Sequence, residues 1–169
     1  PGRSVRALAP GVQLVVQIPD LQRVRQSLEE GRTDLLLSFT RNAPDGLCSA
    51  PVWEQQLAVV AAPGHPAAGG SMDLETYLKW PHAAHKVGRG GSSIEKAIDQ
   101  ALVRLERTRD IGAWMPSAVS LPGVVARTDF LATIPAPLAR HFSQTLGLRV
   151  YDAPLPLGDV QIGMYWHDR

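Results

Sequence analysis

Between Val12 and Phe39 the chain changes its hydrophobic period twice, and that change restricts the fold more than any other feature. Val12 to Ile18 (VQLVVQI) is β-branched and extended, and Pro19-Asp20 breaks it. Leu21, Val24 and Leu28 then recur at helical spacing while Arg23, Arg25, Glu29 and Glu30 face away, and Gly31 supplies a C-terminal stop. Asp34 to Phe39 (DLLLSF) follows as a continuous apolar run, which predicts a strand covered on both faces. Strand, helix and strand in about thirty residues make a βαβ unit, expected to be parallel and right-handed.

The alternation continues downstream. Leu57 to Ala62 reads as a buried strand ended by Pro63-Gly64, and Ser71 as the cap of a short helix through Leu78 that Trp80-Pro81 closes. His82 to Val87 is a short strand candidate. Ile94, Ala97, Ile98, Ala101, Leu102 and Leu105 share one helical face, the strongest periodic signal in the sequence. Ser92-Ser93-Ile94-Glu95 fits a capping box, in which the serine hydroxyl takes one orphan N–H and the glutamate returns to another. Phe130 to Ile134 predicts a buried strand stopped by Pro135, Pro137 to Phe142 a helix, and Leu148 to Tyr151 and Val160 to Trp166 two more strands. The fold class is α/β, without internal repeats or low-complexity segments.

A chain of 169 residues accommodates one domain with a sizeable core, or two small lobes sharing a connection. Seventeen basic residues balance sixteen acidic ones, and no run of Lys/Arg could neutralise a row of phosphates, so this stretch is not expected to grip nucleic acid itself. The single cysteine, Cys48, fits a reducing compartment and reads as a small buried hydrophobe rather than a reactive thiol. With no long apolar run and no apolar leader before Gly11, the expectation is a cytoplasmic protein or a fragment of one, without membrane contact.

The stretch His85 to Ser93 (HKVGRGGSS) carries the clearest chemical question, because a glycine-rich turn opening a helix often holds an anion. As a dinucleotide fingerprint it fails: Ser93 stands where the third small residue belongs, and no acidic residue follows a second strand at a convincing distance. A P-loop is excluded, since Gly-Lys-Ser/Thr is absent. What remains is a helix N-terminus with free N–H groups, two serines and Arg89, suited to a carboxylate. By itself the stretch reads better as a plain turn and cap; the anion reading needs a second signal.

Other chemistries have less support. His82 and His85 could share a metal only on a helix, and no third ligand is in view, so no metal or cofactor is expected. G-x-S-x-G is absent, and the isolated carboxylates Asp45, Asp73 and Asp129 fall at turns or caps, so the chain is not expected to be an enzyme. Trp53, Trp80, Trp114 and Trp166 lie near predicted strand ends, where they serve either a ligand crevice or the core. Ser38-Phe39 closes an apolar strand and has the same two readings.

Taken in order, ALAPGVQLVVQIPDLQRVRQSLEEGRTDLLLSF, PVWEQQLAVVAAPGHPAAGGSMDLETYLKWPHA, ARTDFLATIPAPLAR and VQIGMYWHDR resemble the effector-binding domain of LysR-type transcriptional regulators. They are most similar to the branch of nodulation regulators and of salicylate- and nitrotoluene-responsive regulators. Thr128 to Pro135 (TDFLATIP) and Trp166-His167 are the specific marks. The resemblance implies two Rossmann-like lobes of the type 2 periplasmic-binding-protein fold. Residues 1–58 and 150–169 would form lobe I, and residues 59–149 lobe II. It also implies that the domain is truncated at both ends and that the DNA-binding helix-turn-helix is absent from this chain.

A small, aromatic or carboxylated effector is then expected between the lobes. The resemblance puts Ser38, Phe39, Gly90, Gly91, Ser92, Ser93, Met115, Pro116, Ser117 and Pro135 on that cleft. In the aromatic-responsive branch, histidines tend to occupy the glycine turn and the position of Ser117; their absence here leaves salicylate unsupported as the ligand. A homodimer is implied, tetrameric in the full-length protein, with DNA reached only through the N-terminal domain. The helix from Asp20 to Glu30 is a candidate dimer face, although packing on its own sheet explains its apolar stripe equally well. The alternative function is a solute-binding protein of the same fold serving a transporter.

Overall fold

The computed structural model describes residues 5–20, 23–39, 46–67, 69–87 and 90–168. In chain order the helices are α1 (Val5–Leu8), α2 (Val24–Glu29), α3 (Leu74–Lys79), α4 (Ser93–Arg104), α5 (Leu121–Val125) and α6 (Ala136–Leu146). The strands are β1 (Leu36–Ser38), β2 (Cys48–Gln55), β3 (Leu57–Ala61), β4 (His82–Val87), β5 (Gly90–Gly91), β6 (Ile111–Met115), β7 (Ala132–Pro135), β8 (Arg149–Asp152) and β9 (Val160–Trp166).

Two layered regions result. In the first, β9 lies between β1 and β2 and runs antiparallel to both. In the second, β3 lies between β7 and β8, antiparallel to each, while β4 and β6 pair in parallel. A parallel bridge from His82 to Leu131 joins β4 to β7, so the order across the second region is β6, β4, β7, β3, β8. The chain crosses between regions at Gln56, directly after β2, and again after β8.

The core sits in the second region because β3 is apolar on both faces. Leu57, Val59 and Ala61 face a cluster with Tyr77 of α3, Ile94, Ile98 and Leu102 of α4, and Leu131. Ala58 and Val60 face the other way, toward Leu121 and Val125 of α5, Ala139 of α6 and Ile134. Helices therefore cover both sides of this sheet. Among the described residues of the first region, α2 is the helix that supplies a buried face, where Leu28 meets Leu36 and Tyr165.

Where packing is local, prediction and structure agree: α4 and β9 occupy the predicted stretches, and α6 extends beyond its predicted end to Gly147, whose φ of 69° is a left-handed stop. Elsewhere long-range contacts correct the reading. Val12 to Ile18 has no cross-strand partner among the described residues, and Val16 is 94% exposed. A β-branched run realises its strand preference only against a neighbour. The apolar run at Asp34 to Phe39 is covered on one face only, with Leu35 and Leu37 more than half exposed. Consequently the predicted βαβ unit is not formed among the described residues. Leu21 lies outside them, and α2 spends its apolar face on its own sheet.

Smaller corrections have equally local causes. Asp73, not Ser71, caps α3, its carboxylate accepting the Thr76 N–H at 2.8 Å. Pro135 ends β7 from within the ladder, opposite Leu57 at the strand end, where a missing N–H is tolerated. Strands β2 and β6 were not anticipated. β2 contains Pro51 and a bulge between Pro51 and Trp53, and β6 begins at a glycine-interrupted IGAWM. Both lack the apolar continuity or clean alternation that marks a strand in sequence.

Candidate functional site

Strand direction brings the candidate residues to one edge. Because β4, β6 and β7 are mutually parallel, Val87, Met115 and Pro135 all finish at the same end of the second sheet. β3 runs against them and begins at that end, where Ala136 N–H donates to the Gln56 carbonyl at 2.8 Å. The first region contributes from across the crossover. β1 and β2 are both antiparallel to β9, so Ser38 points along the chain direction that carries β2 into Gln56. Phe39 packs against the core cluster of the second region, whose members include Leu57, Ile94 and Leu155, so the residue after β1 reaches across to that region. In sheets of parallel strands, such carboxyl ends form the usual ligand crevice.

At the glycine stretch, β4 and β5 pair antiparallel just before α4. Lys86 pairs with Gly91 and Val87 with Gly90, while Gly88 and Arg89 lie outside the described residues. Ser92 caps α4, its hydroxyl accepting the Glu95 N–H at 3.4 Å. The other half of the predicted capping box is not made. Ser92 N–H donates instead to the His85 carbonyl at 3.0 Å, and Glu95 turns inward. One Glu95 oxygen accepts the His85 N–H at 3.0 Å, and the other meets the Arg109 guanidinium at 2.6 Å. Both side chains of that ion pair are only 2% exposed. Arg109 also reaches Asp99 at 2.9 Å. Burial alone would lower the Arg109 pKa, but Tyr77, Glu95 and Asp99 together hold it above its ordinary value.

The remaining predicted residues differ in what they offer. Met115 packs against the α5 and α6 cluster and is half-buried, whereas Pro116 is exposed. The Ser117 carbonyl accepts the Ser120 hydroxyl at 2.6 Å, but the Ser117 hydroxyl makes no capping bond and stays at the exposed edge. Ser93 is exposed on the first turn of α4, and Ser92 and Gly91 are half-buried. Ser38 is half-buried at the end of β1.

Sequence reasoning left Trp114 out of the site. It is 44% exposed on β6, and its ring reaches Gly91 closely enough that a Cβ there would lie 3.6 Å from Cη2. Trp114 carried a signal as one of four strand-end tryptophans, but nothing local distinguished it. Trp53 is also exposed, while Trp80 edges onto His65 at 4.7 Å and belongs to packing at the opposite end of the sheet.

His82 and His85 do not converge. His82 is buried, with Nε2 at 2.8 Å from the Tyr77 carbonyl, and burial above all depresses its pKa to about 4, aided by Arg109. It is therefore a neutral core histidine. Among the described residues no group of three or more His, Cys, Asp or Glu could hold a metal. No helix there is long and apolar enough to cross a membrane. Two surface hollows of about 380 and 270 Å³ lie beside α3, lined by residues such as Glu75, Lys79 and Arg107, and by Pro66, Gly70 and Trp80. Neither includes any residue of the edge described above.

Residues 3–169 match the LysR substrate binding domain family. A nodulation protein D from Rhizobium leguminosarum bv. trifolii is 32% identical over 97% of this chain and 51% of its own length. The transcriptional activator NahR of Pseudomonas putida is 26% identical over 84% of this chain and 46% of its own. The crystal structure of a probable transcriptional regulator from Pseudomonas aeruginosa superposes with a TM-score of 0.86 at 28% identity, covering 96% of this chain and 53% of that one. This chain thus spans about half the length of the curated relatives it matches. The match to that crystal structure shows the α/β fold of two Rossmann-like halves, of the type 2 periplasmic-binding-protein kind, and the family match over nearly the whole sequence shows that the chain belongs to the LysR substrate-binding domain family.

Proposed function

We propose that this domain senses a small effector for a LysR-type DNA-binding regulator and thereby controls transcription. The observation that supports this reading is that β4, β6 and β7 run in parallel and so end together, near Gly90–Ser93, Met115 and Pro135, with Phe39 packed on the core cluster that includes Ile94 of α4. The first region acts as lobe I and the second, entered at Leu57 and left after Asp152, as lobe II, with the effector between them. An effector touching both lobes biases their arrangement only through different affinity for the alternatives.

The chemistry of the edge suits an aromatic or carboxylated molecule. Ser92, Ser93 and the backbone of Gly90 and Gly91 receive the anionic end at the mouth of α4. Phe39, Met115 and Pro116 supply apolar contact, Ser117 donates a hydrogen bond, and Ser38 and Pro135 border the cleft. A helix N-terminus contributes about 0.3–1 kcal/mol to a nearby surface charge, so discrimination depends mainly on shape and paired hydrogen bonds. The relatives being regulators, a catalytic role is not proposed. The domain works in the cytoplasm as a homodimer, and DNA is contacted by another part of the full-length protein.

Isothermal calorimetry with benzoates, salicylates and aliphatic acids tests this. Binding of a carboxylate, weakened by Ser93→Ala and by Ser117→Ala, is expected. Binding confined to neutral or cationic compounds sinks the anionic-end assignment.

A further inference from the structure

A buried ion pair, Glu95 with Arg109, lies against Gly91 at the start of α4. We infer that Glu95, fixed by Arg109, is a positioning residue that sets the conformation of Gly90 to Ser93. The inference rests on the reading of this edge as the effector site and concerns how the site keeps its shape.

Three observations meet at Glu95. Its carboxylate accepts the His85 N–H at 3.0 Å, on the residue whose carbonyl in turn accepts the Ser92 N–H at 3.0 Å. Its second oxygen is bound by Arg109 at 2.6 Å, from the loop before β6, so strand, helix and loop are tied at one side chain. Gly91 lies directly against it: a Cβ on Gly91 would stand 2.9 Å from the Glu95 Cβ, which leaves room for glycine alone. An ordinary capping box would have left this carboxylate at the helix surface.

Burying a carboxylate and a guanidinium is costly, and such a pair is weak evidence of stabilisation. Its location explains it better. The pair's bonds to His85 and Asp99 fall on the strand before Gly90 and on α4, while Tyr77 of α3 meets Arg109 from the core side. Fixing the turn in advance lowers the ordering cost of docking a ligand there.

Amide hydrogen exchange on the 169-residue chain tests this without a ligand. Relative to Val59 and Val60 in the core, Glu95→Ala is expected to speed exchange at His85 and Ser92 about tenfold or more. Glu95→Gln keeps an acceptor and is expected to recover part of that protection. Equal acceleration at all four amides overturns the inference. If Glu95→Ala does not fold, Gly91→Ala presses on the same side chain from the turn, and the same selective acceleration is required of it. With benzoate as the calorimetric probe, Gly91→Ala is expected to weaken binding about fivefold or more; an unchanged affinity overturns the link to the ligand. Failure of the unsubstituted chain to bind benzoate counts against the proposed effector class, while the exchange pattern still decides the role of Glu95.

Discussion

The two regions of this domain are built to different standards. The second has a strand, β3, buried on both faces and helices on either side; the described part of the first has one buried cluster of Leu28, Leu36 and Tyr165. Gly90, Gly91, Glu95 and Arg109 belong to the thick region, while Ser38 and Phe39 close β1 in the thin one, with Phe39 packed onto the thick region's core. One wall of the proposed cleft is therefore rigidly supported and the other is supported at few points. A small-molecule site that must respond to its ligand profits from that asymmetry, because local opening follows low contact density.

Substitutions break or sharpen the contrast. Leu131→Ala removes a fully buried side chain from the larger cluster and is expected to cost about 3–4 kcal/mol of unfolding free energy in urea titration. Acidification acts on the same region through His82. Its folded pKa of about 4 lies below the ordinary 6.5, so between those values the unfolded chain binds a proton that the folded chain does not. Stability is therefore complete above pH 6.5, falls as pH drops toward 4 and levels off below it. The loss has an upper bound of about 3 kcal/mol, and His82→Gln should flatten that slope in thermal melts across the window.

In the thin region the effects shrink. Leu28→Ala is expected to cost about 2 kcal/mol, near the lower end for a buried leucine, because a small cluster can collapse around the loss. Its exchange signature should stay within α2, β1 and β9, and a global acceleration equal to that of Leu131→Ala would erase the distinction between regions. Val16→Ser should change stability by less than about 0.5 kcal/mol, since that side chain is 94% exposed.

Much of this architecture was legible in advance. The apolar face of α4, the all-apolar β3 and the final strand β9 are each specified by residues close in sequence. The misreadings share one cause. Val12 to Ile18 and Leu35 to Leu37 look like core strands, but a strand is completed by neighbours it cannot specify alone. β2 and β6 escaped notice for the converse reason: neighbours impose a ladder on sequences with Pro51 or Gly112 inside them. At the site, the sequence marked Gly90 to Ser93 through its turn chemistry and passed over Trp114, which gains its interest only by standing beside Gly91.

The sequence by itself determined the extents of α4, β3 and β9 and the Ser92 cap of α4, because those properties depend on spacing along a few residues. Tertiary structure decided the rest. Only the parallel pairing of β4, β6 and β7 brings residues 87, 115 and 135 to one edge, and only the approach of Arg109 turns Glu95 from a surface cap into a buried anchor. Cross-strand pairing and the pairing of buried charges join residues far apart in the chain, so their outcome is fixed by how the whole core packs rather than by any local pattern.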